Sequence, residues 1–163
     1  DRIEKFIPPK KGRKHILYII RELLGSKPES KRTNLQGAIE YLTNVLKKRC
    51  TAFVLSDFID DSDFKNALTV ANRKHDVIAM QVYDRRMEEL PDVGLMRVRD
   101  AETGHEQWID TSSKALRNAH HAWWMERQEK LNDIFTRSNV DSVSVRTDQD
   151  YVKALMNLFA KRN

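Results

Sequence analysis

Two short apolar runs joined by a helical stretch constrain the fold of this chain more than any other feature. Thr51–Leu55 is nearly all apolar, which is typical of a strand in a sheet covered on both faces, and Asp76–Tyr83 contains a second apolar run. Asp60–Lys74 lies between them and reads as a helix, because its acidic start suits the positive dipole of a helix N-terminus. This order of elements predicts a right-handed βαβ crossover and a parallel sheet.

Three further segments precede this unit. Ile3–Ile7 is predicted to be a short strand that ends at two prolines. Lys14–Leu24 carries apolar residues at helical spacing, and Gly25 is suited to end that helix. Ser30 or Thr33 is predicted to cap the next helix. The buried stripe of that next helix is predicted to consist of Leu35, Ala38, Ile39, Leu42, Val45 and Leu46.

The pattern changes after the second strand. The segment 94–110 is predicted to be a β-hairpin insertion, with Leu95–Val98 and Gln107–Ile109 as strands around a glycine-bearing turn. The whole length of 163 residues is sufficient for one hydrophobic core. Residues 1–163 are therefore interpreted as a single domain that contains this insertion.

The last third of the chain returns to helices and one strand. A long helix is predicted to begin after Ser112 or Ser113 and to end near Arg137. Asp141–Val145 has the alternation expected of a strand at a sheet edge, and Tyr151–Phe159 closes the chain as a helix. The predicted apolar face of the long helix consists of Leu116, Ala119, Trp123, Leu131, Ile134 and Phe135.

Composition and charge exclude several classes of protein. Hydrophobic residues make up 40% and charged residues 33% of the chain, and no apolar run approaches the roughly 20 residues that a membrane helix needs. The net charge is +5, but no nucleic-acid module accompanies the basic clusters. We therefore expect neither nucleic acid nor a membrane as a partner of this segment.

The single Cys50 and the lack of a visible signal peptide indicate a cytoplasmic protein in a reducing compartment. Because the chain begins with Asp1 rather than methionine, we interpret it as a piece of a longer protein. A membrane tether would then lie outside this segment.

A hydroxyl and a carboxylate are predicted to meet at one edge of the sheet. Thr33 opens an amphipathic helix, and Asp57 follows the first buried strand. Helix starts and strand ends gather along the carboxyl edge of a parallel sheet, where ligands usually bind. Because a hard cation such as Mg2+ prefers oxygen ligands, Thr33 and Asp57 are candidate metal ligands. The alternative is that each residue only caps a helix or a turn.

An acidic cluster supports a competing hypothesis. Asp57 is followed by Asp60, Asp61 and Asp63, and Asp84 follows the next strand. Aspartates at strand ends serve phosphoryl-transfer enzymes by holding Mg2+ or by attacking phosphorus. However, the five glycines are isolated, so the chain contains no glycine-rich phosphate loop. Acidic residues that open a helix are also ordinary partners of its dipole.

A series of short motifs resembles one protein family. The motifs are residues 1–15, Thr33-Asn34-Leu35, Leu55-Ser56-Asp57-Phe58, residues 73–79, 89–95 and 100–104, and Ile109-Asp110-Thr111. Together they resemble the C-terminal part of a von Willebrand factor A-like domain. The resemblance is closest to the bacterial proteins of unknown function that carry such a domain and are often encoded beside MoxR-type AAA ATPases. It implies a three-layer α/β sandwich with a mostly parallel, Rossmann-like sheet that lacks its N-terminal strands.

The resemblance also implies a metal-ion-dependent adhesion site, which this family builds from three loops. Thr33 matches the threonine of the second loop and Asp57 the aspartate of the third. The Asp-x-Ser-x-Ser motif of the first loop does not occur in the chain. Mg2+ or Mn2+ is therefore expected in the intact protein and not in this segment alone, because two oxygen ligands leave most positions to water.

The implied function is a non-enzymatic protein–protein interaction module with a remnant adhesion site, which acts with a MoxR-type AAA ATPase. Two alternatives stay open: a Mg2+-dependent phosphate-handling enzyme that uses Asp57 and Asp84, and a metal-free scaffold. In the family's sheet order, the strand at 51–56 lies next to the missing central strand. Its edge is therefore predicted to associate with a second copy or to be covered by residues 1–10.

Overall fold

Helices and strands alternate along the chain in the computed structural model, which describes residues 2–30, 32–60, 62–100 and 103–162. In chain order the elements are α1 (Arg13–Gly25), α2 (Leu35–Val45), β1 (Thr51–Ser56), α3 (Lys65–Lys74), β2 (Asp76–Tyr83), α4 (Arg85–Glu88), β3 (Leu95–Arg99), β4 (Glu106–Asp110), α5 (Lys114–Arg137), β5 (Asp141–Arg146) and α6 (Tyr151–Lys161).

Three parallel strands form the central sheet in the order β1-β2-β5. Thr51 is paired with Asp76 across β1 and β2, and Ile78 is paired with Asp141 across β2 and β5. β3 and β4 form a separate antiparallel hairpin. The predicted mixed α/β class, the mostly parallel sheet and the hairpin are therefore confirmed.

The hydrophobic core lies on one face of this sheet. Alternate side chains of a strand point to the same face, so Ala52, Val77 and Ala79 project together. Helices α2, α3 and α5 cover them. The helical core residues include Leu35 and Ile39 of α2, Ala67, Leu68 and Ala71 of α3, and Leu131 and Phe135 of α5.

The opposite face of the sheet is only partly covered. α6 packs against β5 on this side, where Ile78, Val145 and Leu158 are buried. Phe53 and Leu55 of β1, by contrast, are 42% and 63% exposed. The prediction that both faces of β1 are covered is therefore wrong for the described chain, because α6 packs mainly against β5 and meets β1 through the contact of Phe159 with Phe53, whose ring centres lie 6.4 Å apart.

The first residues do not form the predicted strand at Ile3–Ile7. Residues 2–11 have no regular secondary structure, and within the described chain they form no strand pairing with β1. The expected covering of the β1 edge by residues 1–10 is therefore not observed. The segment instead lies against helices: Lys5 pairs with Glu22 of α1, and the Phe6 ring meets Tyr41 of α2 edge-on at 6.2 Å. Without a paired neighbour, an extended segment does not become a strand.

The N-cap of helix α2 lies one residue after Thr33, the later of the two predicted caps. Asn34, rather than Ser30 or Thr33, caps it, and the Asn34 Oδ1 atom accepts a hydrogen bond from the Gly37 amide at 2.8 Å. Both asparagine and threonine are good capping residues, so composition alone does not separate adjacent candidates.

Helix α3 begins at Lys65 and not at Asp60. The Asp60 Oδ1 atom accepts a hydrogen bond from the Ser62 amide at 2.7 Å, and the Asp63 Oδ1 atom accepts one from the Lys65 amide at 3.2 Å. Aspartates that accept hydrogen bonds from amides two residues onward hold the chain in turns, which delays the helix.

Helix α5 presents Trp124 to the core, and not Trp123 as predicted. Trp124 is 2% exposed and shares one helix face with the buried Leu131 and Phe135. Trp123 is 44% exposed, and the guanidinium of Arg127 lies 5.9 Å from the centre of its ring.

Helix α1 turns its apolar side outward. None of its residues is buried, and the exposed apolar side chains are Ile16, Leu17, Ile20, Leu23 and Leu24. Among the described residues, no helix has the length and apolar composition that crossing a membrane requires.

The base of the hairpin is held by one buried threonine. The Thr111 hydroxyl donates to the carbonyl of Gly94 at 2.7 Å and accepts from the amide of Val93 at 3.1 Å. The Thr111 amide also donates to the Gly94 carbonyl at 2.8 Å. The chain therefore enters and leaves the hairpin at a single fixed point.

Candidate functional site

The carboxyl ends of the three parallel strands bring polar side chains into one row. Gln81 of β2 is paired with Ser56 of β1 and with Ser144 of β5. Gln81 is 2% exposed; its Nε2 donates to the carbonyl of Asp57 at 3.3 Å, and its Oε1 accepts from the Ser144 hydroxyl at 2.9 Å. The amide therefore ties the loop after β1 to β5. Sequence reasoning missed Gln81, although a glutamine within an apolar strand signals a buried amide with fixed partners.

Asp57 is exposed and lies in a tight turn directly after β1. The Ser56 hydroxyl accepts from the Phe58 amide at 3.0 Å, and the Asp57 Oδ1 atom accepts from the Ile59 amide at 3.1 Å. Phe58 has a φ of 56°, which is uncommon for an aromatic residue. Its buried ring lies 5.1 Å from that of Phe135, so the ring anchors the turn while the Asp57 carboxylate stays at the surface.

Asp60 joins this loop to the start of α2. Its Oδ2 atom accepts a hydrogen bond from the Leu35 amide at 2.6 Å. Burial raises the pKa of the Asp60 carboxyl, but the amide hydrogen bonds from Leu35 and Ser62 and the positive charge of Arg127 outweigh it, so the pKa lies below its ordinary value. Thr33 is exposed and lies two residues before Leu35. The loops that carry the two predicted metal ligands are therefore tied together.

The described residues bring two candidate metal ligands, Thr33 and Asp57, to this edge of the sheet. Over the described residues, no group of three or more His, Cys, Asp or Glu side chains is arranged to hold a metal ion. Mg2+ prefers near-octahedral coordination by oxygen. Thr33 and Asp57 fit the chemistry of two such ligands, and other protein oxygens, water or a partner must supply the rest.

Asp84 has a structural role at the same edge of the sheet. Its Oδ1 atom accepts from the Arg86 amide at 2.8 Å and caps α4. A ring nitrogen of His120 lies 3.2 Å from the Arg86 carbonyl, and one of His121 lies 3.2 Å from the Glu88 carbonyl. The two histidines therefore hold α4 against α5. Each has its own backbone partner, so their neighbouring positions in the sequence do not require a shared metal ion.

These features define an α/β protein with a candidate binding site at the carboxyl edge of its sheet. Residues 1–130 match the family described as "Protein of unknown function DUF58". The chain belongs to this family.

Its curated relatives include mycobacterial proteins whose names describe them as uncharacterized. One from Mycobacterium tuberculosis is 29% identical over 160 residues, which cover 96% of this chain and 50% of that protein. One from Mycobacterium avium is 25% identical over 158 residues, which cover 96% of this chain and 93% of that protein. The chain thus spans about half the length of the M. tuberculosis relative.

Among solved structures, the chain is similar to the crystal structure of the conserved hypothetical protein BatB from Bacteroides thetaiotaomicron. The TM-score is 0.45 at 17% sequence identity, and the match covers 91% of this chain and 66% of BatB.

Proposed function

We propose that the chain is part of a von Willebrand factor A-like, non-enzymatic module that binds a protein partner at the carboxyl edge of its sheet. The hydrogen bond from the Leu35 amide to the Asp60 carboxylate supports this proposal best, because it ties the Thr33 loop to the Asp57 loop. Both side chains are exposed at this junction, which lies at the end of the edge strand β1.

In this proposal the junction is a remnant of a metal-ion-dependent adhesion site. Thr33 supplies a neutral oxygen and Asp57 a charged one to Mg2+ or Mn2+. The rest of the longer protein, water and a carboxylate of the partner complete the coordination. The motif resemblance supports a MoxR-type AAA ATPase in the cytoplasm as the partner.

Calorimetric titration of the full-length protein with Mg2+ and Mn2+ tests the metal site. Asp57→Asn removes the charge but keeps an Oδ1 atom that accepts the Ile59 amide, so the turn is retained. Asp84→Asn is the matched control, because it removes one charge at the same edge and keeps the cap of α4. We expect cation binding to weaken about tenfold or more in Asp57→Asn and to stay unchanged in the control.

Equal losses in both variants would show only general attraction of cations to an acidic edge. If the wild-type protein binds neither cation, Thr33 and Asp57 are turn and helix residues of a metal-free scaffold.

Binding of a purified MoxR-type ATPase, measured with and without EDTA, tests the partner. Binding that EDTA leaves unchanged would contradict the metal-assisted mode.

A further inference from the structure

The segment Lys5–Arg21 concentrates positive charge, because it contains six lysines and arginines and no aspartate or glutamate. Lys5 and Arg21 both pair with Glu22. Within the described chain, the remaining four cationic side chains form no ion pair with any acid. These four are Lys10, Lys11, Arg13 and Lys14.

The three lysines of this set border a surface cavity of about 520 Å3 between the N-terminal segment and the first turns of α1. Lys10, Lys11 and Lys14 supply its cationic side, and Phe6 lies on its apolar side. A volume of this size is within the range of about 300–1,000 Å3 that is typical of small-ligand sites.

Two further rings line the cavity. His15 and Tyr18 stack with ring centroids 6.3 Å apart and an interplanar angle of 25°. The guanidinium of Arg21 lies over the Tyr18 ring, 5.3 Å from its centre, so His15 provides the flat surface of this pair that suits a planar heterocycle. The cavity therefore combines several unpaired positive charges with an aromatic wall.

The cavity is formed before any ligand binds. The Lys5–Glu22 ion pair and the contact between Phe6 and Tyr41 hold the N-terminal segment against the helices. Gly12 has a φ of 106°, a backbone conformation that side chains with a Cβ rarely adopt, and it turns the chain into α1. The two sides of the cavity are thus fixed relative to each other at both ends.

We propose that this cavity, which we call the lysine groove (Phe6, Lys10, Lys11, Lys14, His15 and Tyr18), binds a nucleoside di- or triphosphate. The ammonium groups compensate the charge of the phosphate chain, and the His15–Tyr18 pair stacks on the base. The lysine groove is separate from the carboxyl-edge site and does not depend on the function proposed for it.

Calorimetric titration of the full-length protein with ATP, tripolyphosphate and adenosine, without Mg2+, tests the proposal. The groove variant carries Lys10→Gln, Lys11→Gln and Lys14→Gln. The control variant carries Lys47→Gln, Lys48→Gln and Arg49→Gln, which removes the same charge from an exposed basic triplet elsewhere. We expect ATP binding to weaken about tenfold or more in the groove variant and less than about twofold in the control.

The comparison of ligands identifies what the groove recognises. Tighter binding of ATP than of tripolyphosphate supports base stacking on His15 and Tyr18. Equal binding of the two anions would contradict recognition of the base and leave only a site for the phosphate chain. Circular dichroism of both triple variants checks that they remain folded.

Three results would overturn the proposal. The first is the absence of ATP and tripolyphosphate binding to the wild-type protein. The second is an equal loss in the groove and control variants, which would indicate unspecific attraction. The third is retention of the protein on phosphatidylserine vesicles without binding of either soluble anion, which would assign the basic segment to a lipid surface.

Discussion

The imidazole of His75 is completely enclosed, at the opposite end of the sheet from the candidate metal site. Its Nδ1 atom lies 3.5 Å from the Cys50 sulfur, and its Nε2 atom has no hydrogen-bond partner among the described residues. Burial lowers the pKa of His75 below its ordinary value of 6.5, and the charges of Lys74 and Arg49 lower it further. The fold therefore favours the neutral form of this ring.

We expect this histidine to make the protein less stable in mild acid. Below about pH 6.5 the unfolded chain binds a proton at His75 that the folded chain resists, so the free energy of unfolding falls as the pH falls through this range. Urea unfolding at several pH values between about 7.5 and 5.5 should show the free energy of unfolding decreasing as the pH falls. His75→Gln, which does not titrate, should remove most of this pH dependence.

His105→Gln is the control for this experiment, because His105 is exposed on the hairpin. The control should keep the pH dependence of the wild-type protein. If His75→Gln and His105→Gln lose it to the same extent, the enclosure of His75 does not cause the effect.

Individual side-chain environments were only partly predictable from the sequence. Trp123 and Trp124 are adjacent and equally apolar, so their order in the core depends on the rotation of α5, which distant residues such as Leu131 fix. Gln81 is a polar residue in an apolar run, but its two partners come from β1 and β5. Periodicity along one element carries no information about contacts of this kind.

At the scale of elements, the cap of α2 is the sharpest test of the structure. We expect Asn34→Ala to lower the free energy of unfolding by about 1 kcal/mol, because it removes the acceptor of the Gly37 amide. Asn44→Ala, on an exposed position of the same helix, should leave stability nearly unchanged. Chemical denaturation of both variants gives the comparison, and equal effects would contradict a capping role for Asn34.

Strands and helices that are defined by residues close together in the sequence were predicted well. The bounds of β1 (51–56) and β2 (76–83) were predicted correctly, because a short apolar run has few alternatives to a buried strand. The start of α3 was predicted too early, since Asp60 is used in a tertiary hydrogen bond to Leu35. Ile3–Ile7 has strand-like composition, but strand formation depends on a neighbour that the segment alone does not reveal.

For the whole molecule, the important feature is the edge strand β1. Among the described residues, β1 pairs with β2 on one side and has no strand on the other, and Phe53 and Leu55 leave apolar surface exposed beside that edge. An apolar strand edge of this kind favours pairing with another chain. We expect the 163-residue chain to associate with itself in a concentration-dependent way, as measured by sedimentation velocity.

Leu55→Lys tests whether this association uses β1. Leu55 is 63% exposed, so the added charge opposes strand pairing without disturbing the core. The dissociation constant of the dimer should rise about tenfold or more. Leu95→Lys changes an equally exposed leucine, at 67%, on the hairpin and should have no effect. A wild-type chain that remains monomeric at every concentration would contradict the expected association.

The candidate site illustrates the limit of sequence reasoning at this scale. Order along the chain was sufficient to predict that the Thr33 loop and the loop after β1 meet at one edge. It was not sufficient to predict that Asp60 joins the two loops or that Gln81 fixes the second one. The ligands Thr33 and Asp57 stay predictions, because completing a metal site depends on groups beyond those two oxygens.

The buried Thr111 at the base of the hairpin has an evolutionary consequence. One hydroxyl and a few backbone groups hold both ends of the hairpin, so the strands beyond that point contribute little to the central core. We therefore expect substitutions and length changes beyond this point to leave the folding of the central core nearly unchanged as long as the threonine is retained. Surface loops held by such an anchor tolerate changes of sequence and length better than the sheet that carries them.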